Sequence, residues 1–201
     1  MRVRAGDDYV GYVRRVLAGL RPEPQEFRGY DLRYFDNFRQ MWELVQRRES
    51  EHGLSRLVAG YAWPWVSKKD RARPDITIDG LGFRWNTTST DWINSPDSPG
   101  EVGSIHTVQG YDLNYAGVII GPDLRYDVEH DRIVFDRSSY FDSKGKENNP
   151  VRGLIYTDED LQRFVTNIYA VLLTRGMRGT FVHVVDPALR EYLRPYFSQG
   201  A

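Results

Sequence analysis

No cysteine occurs in the 201 residues, which excludes a disulfide scaffold, a thiolate metal site and a thiol nucleophile. No apolar run approaches the ~20 residues that a membrane helix needs. Nor does Met1-Arg2-Val3-Arg4 lead into the apolar core of a signal peptide. These absences predict a cytoplasmic protein with no membrane partner. Lysine is almost missing: it stands only at 68, 69, 144 and 146, so the other 23 basic residues are arginine. Arginine suits bidentate phosphate contacts, although G+C-rich codon usage produces the same skew. With 27 basic and 28 acidic residues the net charge is −1, which argues against a histone-like, purely electrostatic nucleic-acid binder. The phosphate cradle G-x-x-x-x-G-K-S/T is absent, as is the G-x-S-x-G elbow of a serine hydrolase.

What is present is a globular composition, 40% hydrophobic and 27% charged, enough for one α/β domain over 1–201. Helical stripes are predicted after Asp7 (Val10, Val13, Val16, Leu17, Leu20), over 37–51 (Phe38, Met41, Trp42, Val45) and over 158–175 (Leu161, Phe164, Val165, Ile168, Val171, Leu172). A last helix is predicted from Pro187, burying Leu189, Tyr192 and Leu193. Short apolar runs at 32–35, 57–61, 117–120 and 180–185 read as buried strands of a mostly parallel sheet flanked by helices. Asp79-Gly80 marks a β-hairpin over 76–83, and residues 127–131 would turn a second one over 126–135. Turn-rich insertions are expected at about 63–103 and 121–156.

Two segments carry the chemistry. The first, residues 104–112 (S-I-H-T-V-Q-G-Y-D), sets His, Thr and Gln donors beside a glycine and an aspartate that suits a sugar hydroxyl. Read alone it is also an ordinary strand-to-loop turn. The second, residues 169–179 (Y-A-V-L-L-T-R-G-M-R-G), ends an apolar helix in two arginines and two glycines. Read alone, the arginines answer the helix dipole and the glycines are caps.

In this order the two resemble motifs V (T-V-H-x-x-Q-G-x-D/E) and VI (V-A-x-T-R-A-x-K/R) of superfamily 1 helicases. His106, Gln109, Gly110 and Asp112 match the first, with Ser104 replacing the usual threonine. Thr174, Arg175 and Arg178 match the second, with Gly176 where alanine is usual. Together with residues 60–65 (G-Y-A-W-P-W) and 84–87 (R-W-N-T), the text is similar to the Schlafen group 3-like DNA/RNA helicase domain family, a set of bacterial proteins sometimes joined to a nuclease domain. The resemblance spans about residues 2–193.

It implies a RecA-like fold, the second lobe of a P-loop NTPase, and half of an ATP site. Arg175 would be the arginine finger, with Gln109, Gly110, Asp112 and Arg178 also facing nucleotide. His106 and Thr107 would face the backbone of single-stranded DNA or RNA. The missing cradle implies an N-terminal RecA-like lobe with Walker A and B as partner, holding ATP with Mg2+. This chain alone would bind no cofactor and turn over no ATP. It would then be the C-terminal half of a larger helicase-like ATPase, cut from it.

Rival readings remain open. A non-enzymatic nucleic-acid-binding or adaptor domain would keep the fold without catalysis. A small nuclease using Asp136 or Glu147 lacks a D…E-x-K arrangement. Leu154 to Glu159 imitates a Walker B strand but reads better as a helix cap. The histidines 52, 106, 130 and 183 are scattered, so no metal site is expected, and Asp127, Glu129, His130 and Asp131 read as a solvated turn. Trp63 and Trp65 are candidates for stacking on single-stranded bases. The alternative is that they fill a small core with Trp85 and Trp92 under the hairpin.

Overall fold

The longest apolar runs of the chain lie side by side at its centre. A computed structural model describes residues 3–108, 110–142, 145 and 155–197. Its elements are α1 (Gly6–Leu17), β1 (Asp31–Tyr34), α2 (Phe38–His52), β2 (Ser55–Ala59), β3 (Ile76–Ile78), β4 (Leu81–Phe83), β5 (Val102–Ser104), β6 (Leu113–Ile120), β7 (Leu124–Asp127), β8 (Arg132–Phe135), α3 (Asp158–Leu173), β9 (Gly176–Val184) and α4 (Pro187–Phe197). Five strands pair in parallel in the order β1-β9-β6-β2-β5. This is the α/β, RecA-like sheet that the sequence predicts. Hairpins β3–β4 and β7–β8 stand outside it.

Both faces of the sheet are covered, which is why its strands read as continuous apolar runs rather than alternating ones. Ala116, Val118, Ile120, Val182 and Val184 pack with α1, α3 and α4. Tyr115, Ile119, Phe181, Leu57 and Ala59 pack with α2 and the β3–β4 hairpin.

Several expectations shift in detail. Asp7 is not the N-cap of α1: the cap is Ala5, and Asp7 sits in the first turn, where its charge suits the dipole. The buried stripe of α1 is Tyr9, Tyr12, Val13, Val16 and Leu17, and Leu20, beyond the helix end, is 67% exposed. The tyrosines enter the core because their hydroxyls find carbonyl acceptors, Tyr9 at Leu173 (2.9 Å) and Tyr12 at Tyr196 (2.9 Å). On α3 the buried stripe is rotated toward Tyr169, Ala170 and Leu173, leaving Phe164 44% exposed. Strand β5 emerges from the end of the 63–103 stretch, because Gly103 lets the Trp92 ring lie where a side chain would stand (2.4 Å from an ideal Cβ).

The glycines of residues 176–179 are not helix caps either. Helix α3 is capped by Thr174, whose hydroxyl donates to Ala170 and Val171 carbonyls. Gly176 and Gly179 lie within β9, around a register shift against β6. A Cβ on Gly176 would come 2.0 Å from the Gly179 carbonyl oxygen, and one on Gly179 would come 2.4 Å from that of Asp31. Both glycines exist for backbone approach at a bulge.

Candidate functional site

An open parallel sheet has two rims, and ligands characteristically bind at the one formed by the carboxyl ends of the strands. Strand β5 ends at Ser104 beside Ala59, the last residue of β2. Strand β6 begins at Leu113, at the opposite rim. Residues 105–112 therefore run from one rim to the other across a sheet whose β6 strand is eight residues long, about 23 Å at ~3.3 Å per residue. Val108, fully buried, anchors this crossing in the core shared with α1 and α3.

At the rim where the strands begin, the two motif segments meet through their backbones. The Leu113 amide donates to the Arg175 carbonyl (3.0 Å), which sets Asp112 beside Arg175 along the chain path. Gly110 has φ +86° with open space around it, a left-handed turn that favours glycine. Gln109 lies outside the described residues. Arg175 is half-buried; its Nε is buried and has no hydrogen-bond partner, and it pairs with no carboxylate among the described residues. A buried, unpartnered guanidinium nitrogen is costly unless an anion completes it. Arg178 turns elsewhere: its Nη1 meets His52 Nδ1 at 3.0 Å, and that ring stacks on Tyr115. Arg175 and Arg178 thus have different neighbours.

The opposite rim carries a groove of about 490 Å³ that includes Tyr61, Trp65, Lys68, Arg71, Arg84, Thr107 and His106, continued by a hollow of about 310 Å³ beside Trp63 and Asp142. His106 is exposed, 3.2 Å from Asp142 and 5.7 Å from the Tyr61 ring. Thr107 is buried, with its hydroxyl 2.9 Å from that of Ser104. The tryptophans divide between both readings. Trp85 and Trp92 are fully buried, whereas Trp63 and Trp65 are half-buried against Trp85, each about 6.4 Å from it between ring centres. Lys68 stands over the Trp65 ring at 3.8 Å.

Two buried carboxyl groups hold this rim. Asp75 accepts from the Ser67 amide (2.7 Å), the Ser67 hydroxyl (2.6 Å) and the Trp85 amide (2.8 Å), fastening the loop after Trp65 to the hairpin. Asp123 accepts from the Tyr169 hydroxyl (2.6 Å), which itself accepts from the Gly121 amide (2.9 Å). Burial pushes the Asp123 carboxyl up to about 7 and the Tyr169 hydroxyl well above its usual range. Gly60 is open to the Tyr169 ring, since its Cβ would come 2.6 Å from that hydroxyl.

Other candidates resolve as structure. Thr157 and Asp160 form a capping box for α3, so the Walker B imitation is a helix start, with Leu154 outside the described residues. Asp127 and His130 pair within the β7–β8 turn, and Asp131 binds Arg21 and Tyr126. Asp136 is taken by Arg125 and Ser138, and Glu147 lies outside the described residues. Among the described residues no group of three His, Asp or Glu side chains is placed to hold a metal. Nor is any helix there long and apolar enough to cross a membrane. Sequence reading missed Arg71 and Arg84 as groove residues, because only the β3–β4 hairpin brings them together. The one local signal was a basic run, residues 68–73 (K-K-D-R-A-R), within a chain poor in lysine.

Residues 1–186 match the family model described as Schlafen group 3, DNA/RNA helicase domain. The chain is also 35% identical over 179 residues to an uncharacterized protein of Saccharomyces cerevisiae, an alignment covering 85% of this chain and 38% of that protein. The chain thus spans well under half of that relative's length. The relative is a yeast protein, so the bacterial origin expected from the resemblance is not supported.

Proposed function

The chain belongs to the Schlafen group 3 DNA/RNA helicase domain family, and we propose that it is the second RecA-like lobe of a nucleic-acid-dependent ATPase. In this reading residues 1–201 form one lobe, with 63–103 and 121–156 as insertions, and a separate Walker A- and B-bearing lobe provides the phosphate cradle and Mg2+. The observation that carries the reading is the buried, unpartnered Nε of Arg175, fixed through its own carbonyl to the end of the 104–112 segment. A γ-phosphate would complete that guanidinium, and the arginine would stabilise charge that grows during transfer. Asp112 and Gly110 would border the nucleotide, Asp112 toward the ribose, with Gln109 and Arg178 as further candidates. At the other rim His106 and Thr107, with Trp63 and Trp65, would meet single-stranded DNA or RNA.

The test is ATP turnover by the two-lobed protein with single-stranded nucleic acid present. Arg175→Ala should lower it by about 10³-fold or more and leave oligonucleotide affinity within twofold. Turnover by this chain alone that disappears in Arg175→Ala would overturn the half-site reading. The adaptor reading has its own support: the groove lies wholly within this chain, whereas the nucleotide site is one-sided. An oligonucleotide affinity of the two-lobed protein that ignores ATP would favour it.

A further inference from the structure

The clefts of this chain differ in charge. The hollow by α1 sets Arg4, Arg15 and Arg28 against Asp7, Asp8 and Glu26. The groove between α1, the β7–β8 hairpin and α3 sets Arg14, Arg132 and Arg163 against Asp131, Glu159 and Asp160. The aromatic groove holds Lys68, Arg71 and Arg84, with His106, and its own lining has no carboxylate; Asp142, 3.2 Å from His106, lines the adjoining hollow. A second cleft of about 390 Å³, on the other side of Arg71 and Arg84, adds Arg73 and again no carboxylate. In a chain of net charge −1, this cationic line is a local arrangement and not a sample of the average surface.

The arm that carries it is held in place. Asp75 fastens the Ser67 end to the Trp85 backbone, and the Asp75 amide donates to the Phe83 carbonyl (2.8 Å). The Arg84 Nη1 donates to the Arg71 carbonyl (3.2 Å), so the loop before β3 and the residue after β4 are tied into one loop–hairpin unit. Lys68, Arg71, Arg73 and Arg84 have no carboxylate partner among the described residues. Exposed cations kept near one another without counter-ions repel, a cost that an anion with spaced charges removes.

We propose that residues 66–84 form a phosphate-gripping arm for a single strand of nucleic acid. Its backbone runs from His106 past Lys68 and over the Arg71–Arg84 pair toward Arg73, while Lys68 moves from the Trp65 ring to a phosphate and an unpaired base takes its place there. The aromatic rim selects the single strand, because a paired base has no free face to offer. The arm extends the His106–Thr107 site by a contact surface that rests on the reading of this chain as a nucleic-acid-handling lobe. Phosphate contacts fix register and affinity without reading sequence, and deoxyribose and ribose strands present the same phosphates.

The experiment measures binding of this chain to fluorescent oligo-dT and oligo-U by anisotropy, over a salt series. The doubly substituted Arg71→Ala/Arg84→Ala chain should bind at least tenfold more weakly at low salt. Its log affinity–log salt slope should flatten by about 1.4, the share of two phosphate contacts at ~0.7 each. Arg71→Lys/Arg84→Lys should restore most of both. The same charge loss in the balanced groove, Arg132→Ala/Arg163→Ala, should change neither. An unchanged slope in Arg71→Ala/Arg84→Ala, or an equal loss in the balanced-groove variant, overturns the arm while leaving the lobe reading intact. Failure of the unsubstituted chain to bind either oligonucleotide overturns the arm and the nucleic-acid site together. Equal loss for oligo-dT and oligo-U supports phosphate gripping, and loss confined to one of them overturns it.

Discussion

The two rims of the central sheet are made by the same strands and could hardly differ more. Where the strands end, the chain builds an open, cation-lined groove with half-exposed tryptophans, supported by the buried carboxyl groups of Asp75 and Asp123. Where they begin, backbone crowds backbone. Gly176 and Gly179 leave no room for a side chain, and the Arg175 Nε, like that of Arg48, is buried without a hydrogen-bond partner. In the proposed reading one rim is a complete surface for a ligand and the other a stiff half of one. In the proposed lobe that contrast is functional: a strand of nucleic acid can be held by one lobe, whereas a phosphate between two lobes needs each to hold its groups rigidly before they meet.

The widest separation between the rims is expected from Arg175→Ala. It should remove about 10³-fold or more of ATP turnover in the two-lobed protein while sparing the groove. Comparable losses in turnover and oligonucleotide affinity would break the contrast. Stability should separate the rims next. Gly176→Ala forces a Cβ against a backbone oxygen that cannot step aside, so a cost of about 1–3 kcal/mol is expected, or several degrees of melting temperature at ~2–4 °C per kcal/mol. Gly110→Ala has open space and meets only the strain of its positive φ, about 1–2 kcal/mol. Thermal melting of both variants checks the order, and a milder Gly176→Ala would mean that the bulge yields.

At the groove, Trp65→Ala should weaken single-strand binding by about 1–3 kcal/mol, roughly 5- to 150-fold, and Trp65→Phe by less. The Lys68 ammonium over the same ring loses its platform in the first variant only. Anisotropy at fixed salt reads the difference. Affinity unchanged in Trp65→Ala would return that side chain to a core-filling role beside Trp85.

What the sequence disclosed follows the same division. His106, Asp112 and Arg175 can be named as candidates from the sequence because their order and spacing lie along the chain. The central strands were legible because burial on both faces makes them continuously apolar. The groove arm was not, since Arg71 and Arg84 are thirteen residues apart and meet only through a hairpin and the bonds to Asp75. Strand β5 offers three residues, Val102–Ser104, too few for a periodic signal. The stripe of α1 was misplaced because Tyr9 and Tyr12 look polar until their hydroxyls are seen to reach carbonyls of distant elements. The glycines at 176 and 179 look like caps in the sequence, because neither the bulge that brings Gly176 onto the Gly179 carbonyl nor the approach of Gly179 to Asp31 of the adjacent β1 leaves a periodic mark.

A further expected effect separates the rims by pH. Asp123 sits under the open rim, bonded to Tyr169, with its Oδ2 buried and unpartnered. Burial holds its folded-state value near 7, against an ordinary 3.8. Between these values the folded chain keeps a proton that the unfolded chain has lost. Stability from this group is therefore full below about 4, falls as pH rises toward 7, and is level above. The chain should melt at a higher temperature at pH 5.5 than at pH 8, and Asp123→Asn should reduce that difference because an amide does not ionise. Melting curves across that interval check it, and an equal slope in Asp123→Asn would place the titration elsewhere. Because Tyr169 ties Asp123 to Gly121 beneath the Gly60 loop, the loosening at high pH should appear first as lower protection factors, corrected for the intrinsic rate at each pH, at the amides of 60–63, 65, 121 and 123. Protection factors at 175–179 should not change, which keeps the two rims distinct in dynamics as they are in chemistry.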